Sequence, residues 1–151
     1  MIKKDDQHIN ICVRAIIIED GQVVVCRWKN DAGPSFSIGG RVEYGESLVQ
    51  ALLREVKEET GTNATIDKLL YMHENVYTTR GDRREVHELG YYFLVTCDEE
   101  ICPNNQISSN PDHPSLFNVR VPVTKEGLDS IFPTFLREYL PRDATMAFAG
   151  N

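Results

Sequence analysis

Apolar and polar positions recur along this chain with two different periods, and the change of period marks out its elements. Residues 10–18 (NICVRAIII) and 23–28 (VVVCRW) are dense in β-branched residues, and the intervening Glu19-Asp20-Gly21-Gln22 carries Asp-Gly, a strong hairpin signal. Residues 36–38 lead into Gly39-Gly40, and 41–45 read as a loop. The period then lengthens. Ser47 with Gln50 three residues on forms a capping box, Gly61 is a C-terminal stop, and residues 48–60 between them contain neither Gly nor Pro. On that helix Leu48, Val49, Leu52, Leu53 and Val56 are predicted to form one apolar face.

Strand signals return in residues 64–77, with some helical ambiguity, and more strongly in 86–96 (VHELGYYFLVT). A polar turn around Gly81-Asp82 separates the two. Residues 98–115, rich in Asn, Pro and Ser, are predicted as a long loop. A short strand over 117–123 and a second helix over 125–140 follow, then a loose tail over 141–151. Strands, helix, strands, helix in one chain of this length predict a single α/β domain with a mixed sheet between helices.

Glu55, Glu58 and Glu59 interrupt this picture. They lie at relative positions 0, +3 and +4, so they crowd one arc of the helix, beside the apolar face rather than opposite it. Like charges so close raise one another's energy unless a cation sits among them, which predicts a divalent metal.

Composition narrows the classes of partner. The chain is 41% hydrophobic and 26% charged, which argues against disorder, and its net charge of -7 argues against a broad nucleic-acid or anionic-membrane surface. An anionic substrate stays open if metal ions and local arginines override the global field. No apolar run approaches the roughly 20 residues of a membrane span, and the N-terminal stretch lacks a signal-peptide pattern. Cys12, Cys26, Cys97 and Cys102 form no CxxC pair and read as buried free thiols of a cytoplasmic protein.

With its flanks, the glutamate run resembles the Nudix box, GX5EX7REUXEEXGU with U aliphatic. Gly40, Glu46, Arg54, Glu55, Val56, Glu58, Glu59 and Gly61 all fall in register; Thr62 departs from the aliphatic position, and Ile38 precedes Gly39-Gly40 where many members have proline. HELGYYFLV and IFPTFLREYL are similar to later family elements. The resemblance implies a Nudix-type α/β/α sandwich and Mg²⁺, with Mn²⁺ as an alternative, held by Glu58 and Glu59. It makes Glu55 either a third ligand or the general base, Glu46 the partner of Arg54, and Gly40 a close backbone approach to metal or phosphate. The implied reaction is attack of water on a diphosphate within a nucleoside diphosphate derivative, a nucleoside di- or triphosphate or a nucleotide sugar. A small-molecule substrate and a homodimer, common in the family, are the implied partners. The rival is a nucleotide-binding or regulatory module without turnover.

Outside the box, Arg41, Arg80, Arg83 and Arg84 are candidate phosphate grips, with a solvated loop as the plainer reading of the last three. Glu88 is a candidate base, ligand or substrate contact, on the opposite strand face from His87. Tyr91, Tyr92, Phe93 and Trp28 read as core before base-stacking groups. A further acidic residue is sought among Glu99, Glu100 and Asp112.

Overall fold

The computed structural model describes residues 8–30, 33–79 and 81–148. Its strands are β1 (Ile9–Glu19), β2 (Gln22–Trp28), β3 (Ile38–Arg41), β4 (Ala64–Thr78), β5 (Glu85–Cys97), β6 (Ser108–Ser109) and β7 (Leu116–Pro122). Two helices, α1 (Leu48–Thr60) and α2 (Phe135–Phe148), complete the fold. They form a mixed sheet of order β4-β5-β1-β2-β7-β6, with β3 pairing β1 off this path.

β1 organises the sheet. Along one edge it runs parallel to β5, from Ile9 opposite His87 to Ile17 opposite Val95. Its other edge is divided. Cys12 to Ala15 pair with β3, and only Ile18 and Glu19 pair with β2 across the Asp20-Gly21 turn. β2 then pairs along its length with β7. The sheet is therefore split beyond the hairpin, and β3 enters the split.

Alternation along β1 serves two cores. Val13, Ala15 and Ile17 pack with Ala51, Leu52 and Val56 of α1. Ile16 packs on the opposite face with Tyr92, Leu94, Leu136 and Leu140. This is an α/β/α sandwich, as the sequence implies. Among the described residues no helix is long and apolar enough to cross a membrane.

Three expectations need correction. The second helix does not run over 125–140: Gly127 and Pro133 break that stretch into turns, and the helix forms from Phe135 to Phe148. Residues 141–148, expected as a loose tail, are helical despite Pro141. Leu136 and Leu140 are fully buried on the sheet, and beyond the proline Tyr71 Oη donates to Asp143 Oδ2 at 3.0 Å. Tertiary contacts outweigh the lost backbone bond. In α1, Val49 and Leu53 are exposed, and the buried stripe is Ala51, Leu52, Val56 and Glu59. The helix is rotated from the expected apolar face, and that rotation carries a glutamate inward.

Candidate active site

α1 is set by local chemistry. Ser47 Oγ accepts the Gln50 N–H at 3.1 Å, Gln50 Oε1 accepts the Ser47 N–H at 2.9 Å, and the Gly61 N–H caps Lys57 O. On this fixed helix Arg54 draws the box acids together. Its Nε and Nη2 donate to the two oxygens of Glu46 at 2.7 and 2.8 Å, a bidentate pair. Its Nη1 donates to Glu55 at 3.0 Å and to Glu58 at 3.3 Å, and Nη2 also reaches Arg41 O at 3.2 Å. The guanidinium holds the Glu46 carboxyl well below its usual range, at about 2. Burial pushes the Glu55 carboxyl up, opposed by Arg54.

The cation inferred from crowded glutamates is thus present for two of the three, and it is Arg54. Glu59 is different. It is buried, its Oε2 accepts the Gly39 N–H at 2.7 Å, and burial pushes its carboxyl up to about 7. Among the described residues no three His, Cys, Asp or Glu side chains converge as a ready-made metal site. The donor set nonetheless suits a hard divalent ion: three carboxylates on one rigid helix, one of them buried beside a single backbone N–H donor.

Glycine is required twice here. A Cβ on Gly39 would lie 2.0 Å from Val13 O. A Cβ on Gly40 would lie 2.5 Å from Glu55 Oε1, so the space over Gly40 seats the Glu55 carboxylate. That is a more specific role than the backbone approach expected of it. Thr62, the departure from the box, is buried, and its Oγ1 accepts the Glu99 N–H at 3.2 Å. Its hydroxyl ties the helix end to the long loop where an aliphatic residue would only pack.

That loop supplies no carboxylate to the cluster. Glu99 is exposed, Glu100 lies 3.5 Å from Arg120, and Asp112 is exposed with its N–H bound to Asn110 Oδ1 at 3.0 Å. The loop residue that approaches Glu59 is Asn110, which is buried, has an Nδ2 without a regular hydrogen bond among the described residues, and favours the ionised Glu59. Asn118 of β7 is fully buried; its Nδ2 donates to Glu59 O at 3.1 Å and its Oδ1 accepts from Cys26 Sγ at 3.3 Å. Sequence reasoning missed both asparagines, which carry no local pattern.

It also missed Arg14, whose signal was a lone charge inside the apolar run of β1. Arg14 stands opposite Gly39, its Nη1 donates to Ser37 O at 3.1 Å, and its guanidinium lies 5.9 Å from the centre of the Phe36 ring. Its charge favours the ionised forms of both Glu55 and Glu59. On the α2 face it helps line a cavity of about 220 Å³, with Ser37, His73, Tyr77, Glu88 and Phe132 among the walls.

The remaining candidates separate. Glu88 lines the cavity, while His87 points away and contacts Glu74 at 2.9 Å. Arg41 is exposed at the end of β3, next to Arg54 through its carbonyl. Arg83 and Arg84 are exposed in the β4–β5 turn, and the charge of Arg84 reaches the Tyr77 hydroxyl on the cavity wall. Arg80 lies outside the described residues. Tyr91 and Phe93 pack toward α1, whereas Tyr92 borders the cavity. Trp28 packs edge-on to His113 at 5.5 Å.

Comparison with known proteins agrees with this geometry. The NUDIX domain model matches residues 7–137. A CTP pyrophosphohydrolase of Escherichia coli (strain K12) is 37% identical over 71 residues, covering 45% of this chain and 53% of its own length. An ADP-ribose pyrophosphatase of Methanocaldococcus jannaschii is 34% identical over 90 residues, covering 58% of this chain and 51% of its own. The match thus spans about half the length of these curated relatives. Among solved structures, the MutT protein from Methanosarcina mazei Go1 shares the fold, with a TM-score of 0.64 at 19% identity over 95% of this chain and 98% of that one. An Arg54-centred acid cluster on a capped helix, in an α/β/α sandwich that the NUDIX model matches over most of its length, places the chain in the Nudix family.

Proposed function

We propose that this chain is a Mg²⁺-dependent hydrolase of a diphosphate linkage in a nucleoside diphosphate derivative, with Mn²⁺ able to replace Mg²⁺. The observation that carries the reading is the placement of the glutamate cluster one short strand away from the cavity. Ser37 on the cavity wall and Gly39, bonded to Glu59, are two residues apart, about 7 Å at the rise of an extended chain. That matches the reach from a nucleobase to its proximal phosphates. The curated relatives named above act on CTP and on ADP-ribose by their names, which supports a nucleoside triphosphate or a nucleotide sugar as substrate.

Glu55, Glu58 and Glu59 would hold the divalent ion. When bound, it neutralises diphosphate charge and makes a water more acidic. Arg54 orients Glu55 and Glu58 while Glu46 fixes Arg54. Arg14, between the carboxylates and the cavity, is placed to grip the phosphate nearest the nucleoside. Arg41 and Arg84 are exposed near the two ends of this path and would add long-range attraction for an anion. Four free cysteines support a reducing, cytoplasmic setting.

The rival reading is a nucleotide-binding module without turnover, and the complete set of box carboxylates favours the enzyme. The test is product release from CTP, ATP and ADP-ribose with Mg²⁺ or Mn²⁺, in wild type and Glu58→Gln. Turnover should fall at least about 100-fold in the variant. If wild type leaves every substrate intact with either metal, or Glu58→Gln is unimpaired, the proposal fails.

A further inference from the structure

Phe36, Tyr77, Tyr92 and Phe132 supply aromatic walls to the cavity, which makes its polar groups informative. Glu88 stands out: among the described residues its carboxylate has no hydrogen-bond or ion-pair partner. It nevertheless faces the cavity, and the Cys12 thiol and the Tyr77 and Tyr92 hydroxyls, on the same walls, all feel its charge. Across the β4–β5 ladder stands Asn75, whose Nδ2 is buried with no partner among the described residues. Ser37 Oγ, on the cavity wall and only 2% exposed as a residue, is likewise unpartnered. Buried polar groups are normally paired, so buried Ser37 Oγ on the wall and buried Asn75 Nδ2 one strand over from half-buried, unpaired Glu88 describe a site whose partners come from a ligand.

Chemistry restricts that ligand. A carboxylate only accepts hydrogen bonds, and a side-chain amide nitrogen only donates. Together Glu88 and Asn75 offer an acceptor beside a donor. An exocyclic amino group next to an unprotonated ring nitrogen is the complementary edge, and cytosine and adenine both have it. In the same pose uracil or hypoxanthine would turn a carbonyl oxygen onto the carboxylate and leave it desolvated without a partner. We infer that Glu88 reads the base and selects nucleotides of the amino type, cytosine or adenine, over their oxo counterparts. The inference rests on the reading of this cavity as the nucleoside site.

The test separates binding from turnover. Binding of CMP, UMP, AMP and IMP is measured by titration calorimetry in EDTA, for wild type, Glu88→Gln and, should that variant be unstable, Glu88→Ala. Wild type should bind CMP over UMP and AMP over IMP by at least about tenfold, the scale of one well-formed base contact. Glutamine keeps the shape but can donate to a carbonyl, so the preference should shrink toward one. An unchanged preference in the variants, or no binding of any of the four to wild type, overturns the inference. So does a drop in kcat on CTP and UTP alike with their ratio unchanged, which would put Glu88 in the chemistry. Base selection without any turnover would remove the hydrolase reading and leave this one standing, and turnover without Glu88-dependent selection does the reverse.

Discussion

Two arginines in this molecule each gather several oxygens, and they do so for different ends. Arg54 binds Glu46, Glu55 and Glu58, with its side chain a quarter exposed. Arg120 binds Glu19 at 3.0 Å and Asp20 at 3.0 Å and lies 3.5 Å from Glu100, with its side chain 2% exposed. Glu19 in turn accepts the N–H groups of Ile101 and Cys102 at 2.6 and 3.0 Å. The first cluster aims carboxylates at solvent beside a cavity. The second clasps the start of the loop over 98–115 onto the β1–β2 hairpin, and the same loop carries Asn110 to Glu59. A partly exposed network can exchange partners with substrate or metal, whereas a buried one is committed to holding the chain.

The largest expected effect breaks the clasp. Arg120→Ala leaves Glu19 buried without its counter-ion and should destabilise the fold by about 3–5 kcal/mol in denaturant titrations. A loss below about 1 kcal/mol would show that the Arg120 network does not hold the loop.

Glu59 comes next. Its folded-state carboxyl titrates at about 7, above the usual 4.5, so in the metal-free protein the folded state holds a proton that the unfolded state has released. Stability should therefore fall as pH rises from about 4.5 to 7, by on the order of 3 kcal/mol. Thermal melts of wild type and Glu59→Gln check this: the slope should vanish in the variant, and Mg²⁺ should oppose it in wild type. Glu46 runs the other way. Its contribution, with the carboxyl held at about 2, is present above the usual 4.5 and is lost as pH falls through 2.

Arg54→Ala sharpens the contrast with Arg120. It should lower kcat/KM about 10- to 100-fold, because orientation of Glu55 and Glu58 is lost. Stability should move by no more than about 1 kcal/mol, since the pairs are partly exposed. Equal stability losses in the two arginine variants would erase the distinction between site and clasp. The smallest effect is expected from Thr62→Val, which restores an aliphatic residue and removes the bond to the Glu99 N–H. A loss of about 1 kcal/mol with activity kept within a few-fold is expected from melts and initial rates.

The two clusters also differ in how far the sequence revealed them. Every ion-pair partner of Arg54 lies within 11 residues of it, so one short stretch holds the cluster. Helix periodicity brought Glu55, Glu58 and Glu59 together, and the family resemblance of that stretch implied the Arg54–Glu46 pair. The hairpin at Asp20-Gly21, the capped helix and the β5 strand were legible for the same reason. The closest ion-pair partners of Arg120, Glu19 and Asp20, lie about 100 positions away, and nothing in its neighbourhood announces Glu19. Asn110, Asn118 and Arg14 escaped notice on the same ground. The second helix was misplaced because local breakers set its start, while burial of Leu136 and Leu140 carried it past Pro141.

By itself, then, the sequence determined the crowding of acids on one helix arc and the family the chain belongs to, because those depend on short-range spacing along one helical turn after another. Only the tertiary structure decided that Arg54 is the cation beside Glu55 and Glu58, that Glu59 is the buried one, and that Glu88 faces a cavity with no partner among the described residues. Those outcomes depend on helix rotation against the sheet and on strands paired far apart in the chain. Both are fixed by the burial of whole faces, and no local run of residues encodes them.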